Sequence, residues 1–345
     1  MNKVTIKDIA RMAGVSTATV SQVINSNGRI SKATAAKVMK IIEEFNFHPN
    51  RAGRALVNRN TGNVGIFVSK DHFTIKEPFY DRIYIGAEVV AQESDYYLIL
   101  NVIKNDHVVP RCLQEASIDG AILMGSVSRT IMDWLYQRNI PVVFVDYYPS
   151  DRPYMSVLIN NEESAQTAVR HLIDLGYPTI GFIGSDYEHP SIAARYKGYT
   201  QALKKSGIRL DPRLVFQDKR SNNYQYGFDA GMEMIRSRRL PRAVFCANDM
   251  MALGLMRAMK LSRIAMPDTL ALVGFDNIEA VSHVSPSLTT MHVFREEMGQ
   301  IAMQNILRFL ASKRTIYTTV QVNARLIVRE SCGSPAKTEE ENLYL

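Results

Sequence analysis

The chain has 345 residues, of which 46% are hydrophobic, and a formal net charge of +7. This length suits two or three globular domains. The sequence has no apolar leader and no stretch approaching the roughly 18 apolar residues of a membrane span, so we expect a cytoplasmic protein without membrane contact. The three cysteines are far apart, so we expect neither a disulfide framework nor a metal site, and no cofactor.

The positive charge is concentrated at the N-terminus. Residues 1–60 contain ten Lys and Arg residues against three acidic ones, whereas the other 285 residues carry 31 of each sign. A basic segment on a neutral body is typical of a nucleic-acid-binding module attached to a larger domain. A basic surface that merely contacts solvent would give the same composition.

The first elements in chain order are two short helices within residues 5–25, TIKDIARMAGVSTATVSQVIN. Thr5 and Asp8 predict a capping box, Gly14 suits a turn, and Ser16 suits the cap of the second helix. The outward residues of that second helix are small or uncharged, which suits close approach to base edges in a major groove. An ordinary helical hairpin with a polar face is the alternative on spacing alone.

A third helix follows, with Ser31 as its cap and Pro49 beyond its end. Residues 51–60, RAGRALVNRN, are basic and too short for a stable isolated helix, so they predict a linker that folds on binding. Leu56 is a large apolar residue in this linker, and packing onto the three helices would account for it.

From Val64 onward, short β-branched runs alternate with helical stretches, and the alternation starts afresh near Ser156. Strands buried on both faces and separated by helices predict two doubly wound parallel sheets. Strands are predicted at 64–69, 97–103, 120–125, 141–146, 156–159, 179–184, 213–216, 243–247 and 270–274. Helices are predicted at 78–93, 109–116, 130–138, 162–175, 192–206, 224–237, 250–260 and 296–310, with a last strand-like run at 318–328.

The last helix and strand return to complete the sheets, which implies crossovers, a hinge and a cleft at the carboxyl ends of the strands. The expected organisation is a headpiece at 1–46, a linker at 47–61, a first lobe at 62–158 and 290–318, and a second lobe at 159–289 and 319–331. The polar composition of residues 332–345 predicts a disordered tail. The end of this tail, ENLYL, partly resembles a protease-tag remnant.

Thirteen segments in order over the chain resemble the lactose/galactose repressor family of bacterial transcription regulators. They are TIKDIARMAGVSTATVSQVIN, PNRAGRAL, VGIFVS, PFYDRI with Gly86, IDGAIL, IPVVFVD, VLINNEESA, HLIDLGY, IGFIG, ARYKGY, ANDMMALG, LALVGFDN and SLTT. The resemblance implies a helix-turn-helix headpiece, a hinge helix and a two-lobed α/β core like periplasmic sugar-binding proteins. It also implies a homodimer on double-stranded operator DNA, and hence a pseudo-palindromic site.

The resemblance also implies which residues contact DNA. Leu56 matches a leucine that wedges into the minor groove at the operator centre, which we prefer to local packing. Gly53 stands where alanine is usual and weakens the hinge helix. The expected base-reading residues are Thr17, Ala18 and Gln22, with Thr5, Ser16, Asn25 and Arg51 positioning the backbone and Thr19 and Ser21 on the same outward face.

For a small-molecule effector, which the resemblance implies to be sugar-like, the matching positions lie at strand ends and helix starts. They are Phe79, Tyr80, Ser126, Asp146, Arg195, Asn222, Asn248 and Asp276. Carboxylates accept hydrogen bonds from vicinal hydroxyls, and arginine donates a fork of charge-assisted bonds. The alternatives are a cap or turn role for the two aspartates and a salt bridge across the lobes for Arg195. Two residues depart from the family pattern. Asn222 stands at a position where an aromatic residue is common, and Glu77 stands where asparagine is common.

The leading function is therefore a repressor controlled by a small effector. Control by a protein co-repressor, as in the catabolite-control branch of the family, is the alternative. A cytoplasmic solute-binding protein or an enzyme on the same core is a rival from another class. We expect no enzyme, because the sequence has no Walker loop, GxSxG, HExxH or paired-cysteine pattern.

Overall fold

The computed structural model describes residues 4–24, 30–47, 60–70, 78–104, 108–149, 153–185, 189–217, 224–312 and 317–335. Contacts divide the chain into two compact units, Met1–Gly62 and Asn63–Leu345. In the described residues, no helix is both long and apolar enough to cross a membrane.

The first unit contains three helices, α1 (Ile6–Ala13), α2 (Thr17–Ile24) and α3 (Lys32–Glu44). The Thr5 backbone N–H donates to the Asp8 carboxylate at 3.0 Å, which confirms the capping pair at the start of α1. Gly14 ends this helix with φ 69°, a left-handed conformation that favours glycine. The three helices meet around a small core that includes Ile9, Val20 and Val38.

The second unit contains all the strands and eight further helices of the described residues. The strands are β1 (Asn63–Ser69), β2 (Tyr97–Ile103), β3 (Gly120–Met124), β4 (Val142–Val145), β5 (Met155–Ile159), β6 (Ile180–Gly184), β7 (Val215–Gln217), β8 (Ala243–Cys246), β9 (Ala271–Asp276), β10 (Thr289–His292), β11 (Thr319–Val322) and β12 (Arg325–Ile327). The helices are α4 (Tyr80–Glu93), α5 (Arg111–Gln114), α6 (Arg129–Gln137), α7 (Asn161–Asp174), α8 (Pro190–Lys205), α9 (Tyr224–Arg236), α10 (Asp249–Leu261) and α11 (Arg295–Ser312).

Each lobe of the second unit is built on one six-stranded sheet. The first sheet has the order β11-β5-β4-β3-β1-β2, and its strands pair in parallel. The second has the order β12-β10-β9-β8-β6-β7, with only β12 antiparallel. Strands β3, β6, β8 and β9 are buried along their whole length, as expected for sheets covered on both faces. This confirms the predicted fold class.

The strand pairing differs from the sequence-based expectation in two places. Strand β5 lies in the first sheet, in agreement with the expected first lobe at 62–158, although the alternation was expected to start afresh near Ser156. The run at 318–328 forms two strands in different sheets, and β10 pairs with β9 in the second sheet. The crossovers therefore follow His292 and Val322, a few residues later than the expected lobe boundaries. The hydrophobic pattern of a strand does not indicate which neighbouring strand it pairs with, so the sequence alone could not locate the crossovers.

Helices α4 and α11 pack with their backbones in direct contact in the first lobe. A Cβ atom at Gly86 would lie 1.9 Å from the carbonyl oxygen of Glu296, and one at Gly299 would lie 1.9 Å from that of Ile83. Only glycine permits this approach at both positions. The crossing fixes the start of α11 beside the segment that leads into α4, and this juxtaposition shapes one wall of the cleft described next.

Candidate functional site

Helix α2 presents the face that the sequence predicts for base reading. Thr17, Ala18 and Gln22 are exposed on it, whereas Val20 points into the core of the first unit. Small, uncharged side chains on a convex helix face leave the backbone free to approach base edges closely. The structure therefore groups these three residues on one accessible face.

The remaining predicted DNA-binding residues have other local roles or lie elsewhere. The Ser16 hydroxyl accepts the Thr19 backbone N–H at 3.0 Å and lies 2.9 Å from the Thr19 hydroxyl, so Ser16 caps α2 with Thr19 as its partner. Ser21 is half-buried. Asn25, Arg51 and Leu56 lie outside the described residues, as does the hinge prediction.

A cavity lies between the two lobes at the carboxyl ends of their strands. It is lined by Pro78, Phe79, Tyr80, Asp146, His189, Ser191, Ile192, Arg195, Asn248, Met250, Asp276 and Ile278. Open α/β sheets bind ligands at this edge, where loops from several strands converge. The lining combines two carboxylates, a guanidinium, hydroxyl groups and aromatic rings, which is the mixture that hydrogen-bonds a polar ligand while covering its apolar faces.

Asp146 follows β4 and forms the first polar centre of the cavity. Its carboxylate accepts the Tyr80 hydroxyl at 3.1 Å and the Ser191 hydroxyl at 2.8 Å. Tyr80 belongs to the first lobe and Ser191 to the second, so this carboxylate joins groups from both. Gly125 allows the approach, because a Cβ there would lie 2.5 Å from the Tyr80 hydroxyl.

Arg195 on α8 and Asp276 at the end of β9 form the second polar centre. The Arg195 Nε donates to the Asn161 side chain at 2.8 Å, and its Nη1 donates to the Ala247 carbonyl at 2.5 Å and lies 3.4 Å from the Asp276 carboxylate. The guanidinium also stacks 3.7 Å from the ring centroid of Phe275. Arg195 is thus fixed in place before any ligand binds.

The backbone is strained where these carboxylates leave their strands. Asp146 has φ 59°, Asp276 has φ 112° and Asn277 has φ 54°. Left-handed conformations at non-glycine residues persist only where surrounding contacts enforce them, and they concentrate at ligand sites. The strain supports a binding role over the simple turn role considered for Asp146 and Asp276.

Burial and neighbouring charges shift several pKa values at this site. Burial raises the pKa of Asp276, while the positive charges of Arg195 and Arg295 oppose that rise. Burial also raises the pKa of Asp249, whose carboxylate accepts the Thr290 hydroxyl at 2.6 Å beneath the end of β9. Burial and the nearby Asp146 keep the pKa of Tyr80 well above its ordinary value, so this phenol stays protonated and donates.

The predicted effector residues come together with two exceptions. Phe79, Tyr80, Asp146, Arg195, Asn248 and Asp276 all line the cavity. Ser126 is exposed and is not among the lining residues, and Asn222 lies outside the described residues.

The structure adds a capping role for Asn248 and tests the salt bridge considered for Arg195. The Asn248 side chain accepts the Met251 backbone N–H at 2.8 Å and so caps α10 at the cavity wall. The Arg195 pairing with Asp276 joins two residues of the second lobe, so it is not the salt bridge across the lobes that was considered.

Sequence reasoning missed residues that the fold carries to the cavity. Ser191 and His189 line it, and Asn161 orients Arg195 from α7. Arg295, at the start of α11, lies behind Phe79. A serine at the beginning of a helix and an arginine after a strand are ordinary features, so no local signal marks them.

Two protein-family models match the chain. One described as bacterial regulatory proteins, lacI family, covers residues 5–50, and a periplasmic binding protein-like domain covers residues 169–332. The HTH-type transcriptional repressor PurR of Photobacterium profundum is 30% identical, with 95% of this chain and 98% of that protein covered. The ribose operon repressor of Haemophilus influenzae is 30% identical over 96% of this chain and 99% of its own length.

The chain belongs to the lacI family of bacterial regulatory proteins. It is therefore a DNA-binding transcriptional repressor and not an enzyme, as the sequence predicted. The resemblance found in the motifs is confirmed.

Solved structures agree with this fold. A complex of the transcriptional regulator CelR with cellobiose is 26% identical and superimposes with a TM-score of 0.72, covering 95% of this chain and 99% of that one. A lac repressor dimer bound to operator and the anti-inducer ONPF superimposes with a TM-score of 0.82 at 23% identity, covering 96% and 99% of the two chains. At that identity the second likeness supports the fold of this lacI-family chain.

Proposed function

We propose that this lacI-family repressor binds a pseudo-palindromic operator as a homodimer in the cytoplasm, and that a small hydroxyl-rich effector in the interlobe cavity changes its operator affinity. The effector is a sugar or a sugar derivative. Binding of the effector changes the relative orientation of the two lobes. The coupling free energy between effector and operator equals the difference in effector binding free energy between the operator-bound and operator-free repressor.

The observation that carries this proposal is the pair of strained carboxylates in the cavity. Asp146 and Asp276 follow strands of different lobes and lie beside Tyr80 and Arg195. A carboxylate accepts two hydrogen bonds from vicinal hydroxyls, and an aromatic ring covers the apolar face of a pyranose or furanose. A ligand that bridges the two carboxylates contacts both lobes at once.

The names of relatives support a sugar-like effector. The Haemophilus influenzae relative is a ribose operon repressor, and the CelR structure is a complex with cellobiose. Ribose and cellobiose carry adjacent hydroxyl groups, which match the acceptor chemistry of Asp146 and Asp276.

For the operator, we propose that Thr17, Ala18 and Gln22 read base edges. Gln22 can pair bidentately with adenine, and Ala18 can contact a thymine methyl group. Thr5, Ser16, Asn25 and Arg51 would position the phosphate backbone, and Leu56 would wedge into the minor groove at the operator centre.

The dimer proposal rests on apolar surface in the first lobe. Ile85 and Val89 on α4 are each more than 40% exposed, and Tyr97 and Leu100 are exposed on β2, the edge strand beside β1. Large apolar side chains grouped on a helix face and an adjoining sheet edge are typical of a surface that a partner covers. A second copy of the chain fits, because a twofold dimer explains a pseudo-palindromic operator.

The operator part is tested by selecting binding sites from a random double-stranded DNA library with the full-length protein. The expected product is a site with two inverted half-sites, whose affinity rises as the salt concentration falls. Selection of sequences without inverted symmetry, or binding that survives deletion of residues 1–60, would refute it.

The dimer part is tested by sedimentation velocity. Ile85→Asp should shift the wild-type dimer to monomer, whereas Tyr136→Asp, at an exposed position of α6 outside the apolar surface, should leave it dimeric. A wild-type monomer at micromolar concentration would contradict the proposal.

The effector part is tested by a thermal-shift screen of sugars and sugar phosphates, followed by operator binding with each hit. We expect a hit to stabilise the wild type and not Asp276→Asn, because the amide cannot accept the same pair of hydroxyl hydrogen bonds. A complete absence of hits would favour a protein co-repressor as the regulator.

A further inference from the structure

The two halves of the proposed effector site meet at a buried arginine outside the cavity lining. Arg295 is the first residue of α11, directly after the crossover that leaves the second sheet, and it is only 9% exposed. Its Nη1 donates to the Pro78 carbonyl at 2.8 Å, and its Nη2 donates to the Asn277 carbonyl at 3.2 Å. One guanidinium therefore bonds the backbones of both lobes.

Each of these carbonyls adjoins an effector residue. Pro78 precedes Phe79 and Tyr80, and Arg295 lies 5.9 Å from the Phe79 ring centroid. Asn277 follows Asp276 directly. The geometry thus connects the aromatic wall of the first lobe with the carboxylate of the second through a single side chain.

The Asp276–Asn277 backbone needs such support because both residues are left-handed. The Asn277 side chain accepts from Arg329 Nη2 at 2.9 Å and lies 3.0 Å from His292 Nδ1. These partners belong to strand β10 and to the segment after β12, so they hold Asn277 from within the second lobe. Arg295 adds the connection to the first lobe, where α11 packs against α4.

Arg295 also acts on the charge of Asp276. The groups facing this carboxylate are Arg195 on α8, Arg295 on α11, Asp146 after β4, Asp249 on α10 and the Tyr80 phenol on α4. The two arginines lower the pKa of Asp276, whereas burial and Asp146 raise it. Loss of the Arg295 charge therefore raises that pKa and makes Asp276 a neutral acid at a higher pH.

We propose that Arg295 is the positioning residue that couples the two halves of the effector site, by holding the Phe79–Tyr80 segment and the Asp276–Asn277 segment at one fixed separation. An effector that moves one segment must then move the other or break a charge-assisted hydrogen bond in a buried setting. The role requires the planar fork of a guanidinium, which a lysine ammonium cannot reproduce. The regulatory part of this inference rests on the proposed function, but the coupling itself does not.

The first test is hydrogen–deuterium exchange of the full-length protein without ligand. Arg295→Lys should raise the exchange rates of segments 78–83 and 276–283 together, by about tenfold, since buried charge-assisted hydrogen bonds are lost at both. Arg295→Gln is the second variant, in case the lysine variant unfolds. If a folded variant changes neither segment or only one, Arg295 does not couple them.

The matched control is Arg82→Met. Arg82 on α4 also approaches both lobes, with its Nη1 3.0 Å from Glu296 and its Nη2 4.0 Å from Glu279, but its side chain is 45% exposed. An exposed ion pair contributes little, so exchange at 276–283 should stay at the wild-type rate. An equal change in this control would show that any interlobe arginine has the effect, which overturns the specific role of Arg295.

The second test measures binding of ribose and cellobiose against pH by calorimetry. For a sugar that binds the wild type, Arg295→Lys and Arg295→Gln should weaken binding about tenfold or more. In Arg295→Gln the loss of binding at low pH should also move to a higher pH, because Asp276 loses a neighbouring positive charge. A purely structural defect would weaken binding without moving that profile.

The two tests distinguish an error in the proposed effector from an error in the proposed role of Arg295. If neither sugar binds the wild type, neither ribose nor cellobiose is the effector, and the exchange experiment still decides the role of Arg295. If a sugar binds and its affinity and pH profile are the same in Arg295→Gln as in the wild type, the coupling role is excluded while the proposed effector class stands.

Discussion

Helix α2 and the interlobe cavity are assembled from the chain in opposite ways. The exposed face of α2 comes from one run, with Thr17 and Gln22 only five positions apart. The cavity brings together residues from Pro78 to Ile278 that arrive on separate strands and helices of two lobes. The proposed DNA-reading face is thus a local property of the sequence, whereas the proposed effector site depends on long-range packing.

This difference predicts where substitutions act. A change on α2 should alter operator binding with little effect on the rest of the protein. A change in the packing behind the cavity should affect folding or regulation, even at residues that touch no ligand. The four predictions below test this contrast, from the largest expected effect to the smallest.

The largest effect is expected at the crossing of α4 and α11. Gly86→Val would place side-chain atoms against the Glu296 backbone, where a Cβ already falls 1.9 Å from the carbonyl oxygen. We expect a loss of at least about 3 kcal/mol in the free energy of unfolding, measured by urea denaturation of the second unit.

The control for this crossing is Gly207→Ala. Gly207 has φ 68° and open space around it, so the strain should be only about 1 kcal/mol. Equal destabilisation by the two substitutions would show that the close crossing is unimportant.

The second prediction concerns base reading. Gln22→Ala should weaken operator binding by about 1 to 3 kcal/mol, through loss of a bidentate contact to a base, and should relax the sequence preference at one position of each half-site. Fluorescence anisotropy with operator variants measures both effects. Gln137→Ala, at an exposed position of α6, should change neither, and a uniform loss on all DNA sequences would instead indicate a backbone contact.

The third prediction concerns local capping in the first unit. The Ser31 hydroxyl accepts the Thr34 backbone N–H at 3.1 Å at the start of α3. Ser31→Ala should therefore destabilise the three-helix unit by about 1 kcal/mol. Hydrogen exchange of residues 32–44 should accelerate while exchange in the two lobes is unchanged, and acceleration in the lobes would contradict the independence of the two units.

The fourth prediction is a pH dependence at His292, whose effect is reduced because the imidazole is partly exposed and screened by solvent. Burial and the nearby Arg325, Arg295 and Arg329 lower the pKa of His292 from 6.5 to about 4. A lowered pKa in the folded state means that the unfolded chain binds the proton first. His292 therefore contributes stability above pH 6.5, and that stability is lost as the pH falls towards 4.

Urea midpoints between pH 4 and pH 7 measure this contribution. His292→Gln should show a flatter decline of stability over this range than the wild type. An identical slope in the two proteins would mean that His292 does not titrate between the folded and unfolded states.

Much of the fold could be predicted because the signals are local. The capping pair Thr5–Asp8, the left-handed Gly14 and the buried β-branched runs determine their own elements, since capping, φ and strand burial depend on near neighbours. The motifs also located six of the cavity residues. Strand partners were harder, and β10 joined the second sheet and β11 the first because pairing depends on the whole chain.

The sequence by itself determined that α2 has a polar, exposed face and that the core has two α/β lobes, because each depends on spacing within a segment. Only the tertiary structure decided that Ser191 meets Asp146, that Asn161 holds Arg195, and that Arg295 connects Pro78 with Asn277. The partners in these pairs are 18 to 217 positions apart in the sequence. Arg295 and Asn277 have the smallest separation, and Arg295 and Pro78 have the largest. No spacing rule links such positions, because folding alone brings them within hydrogen-bonding distance.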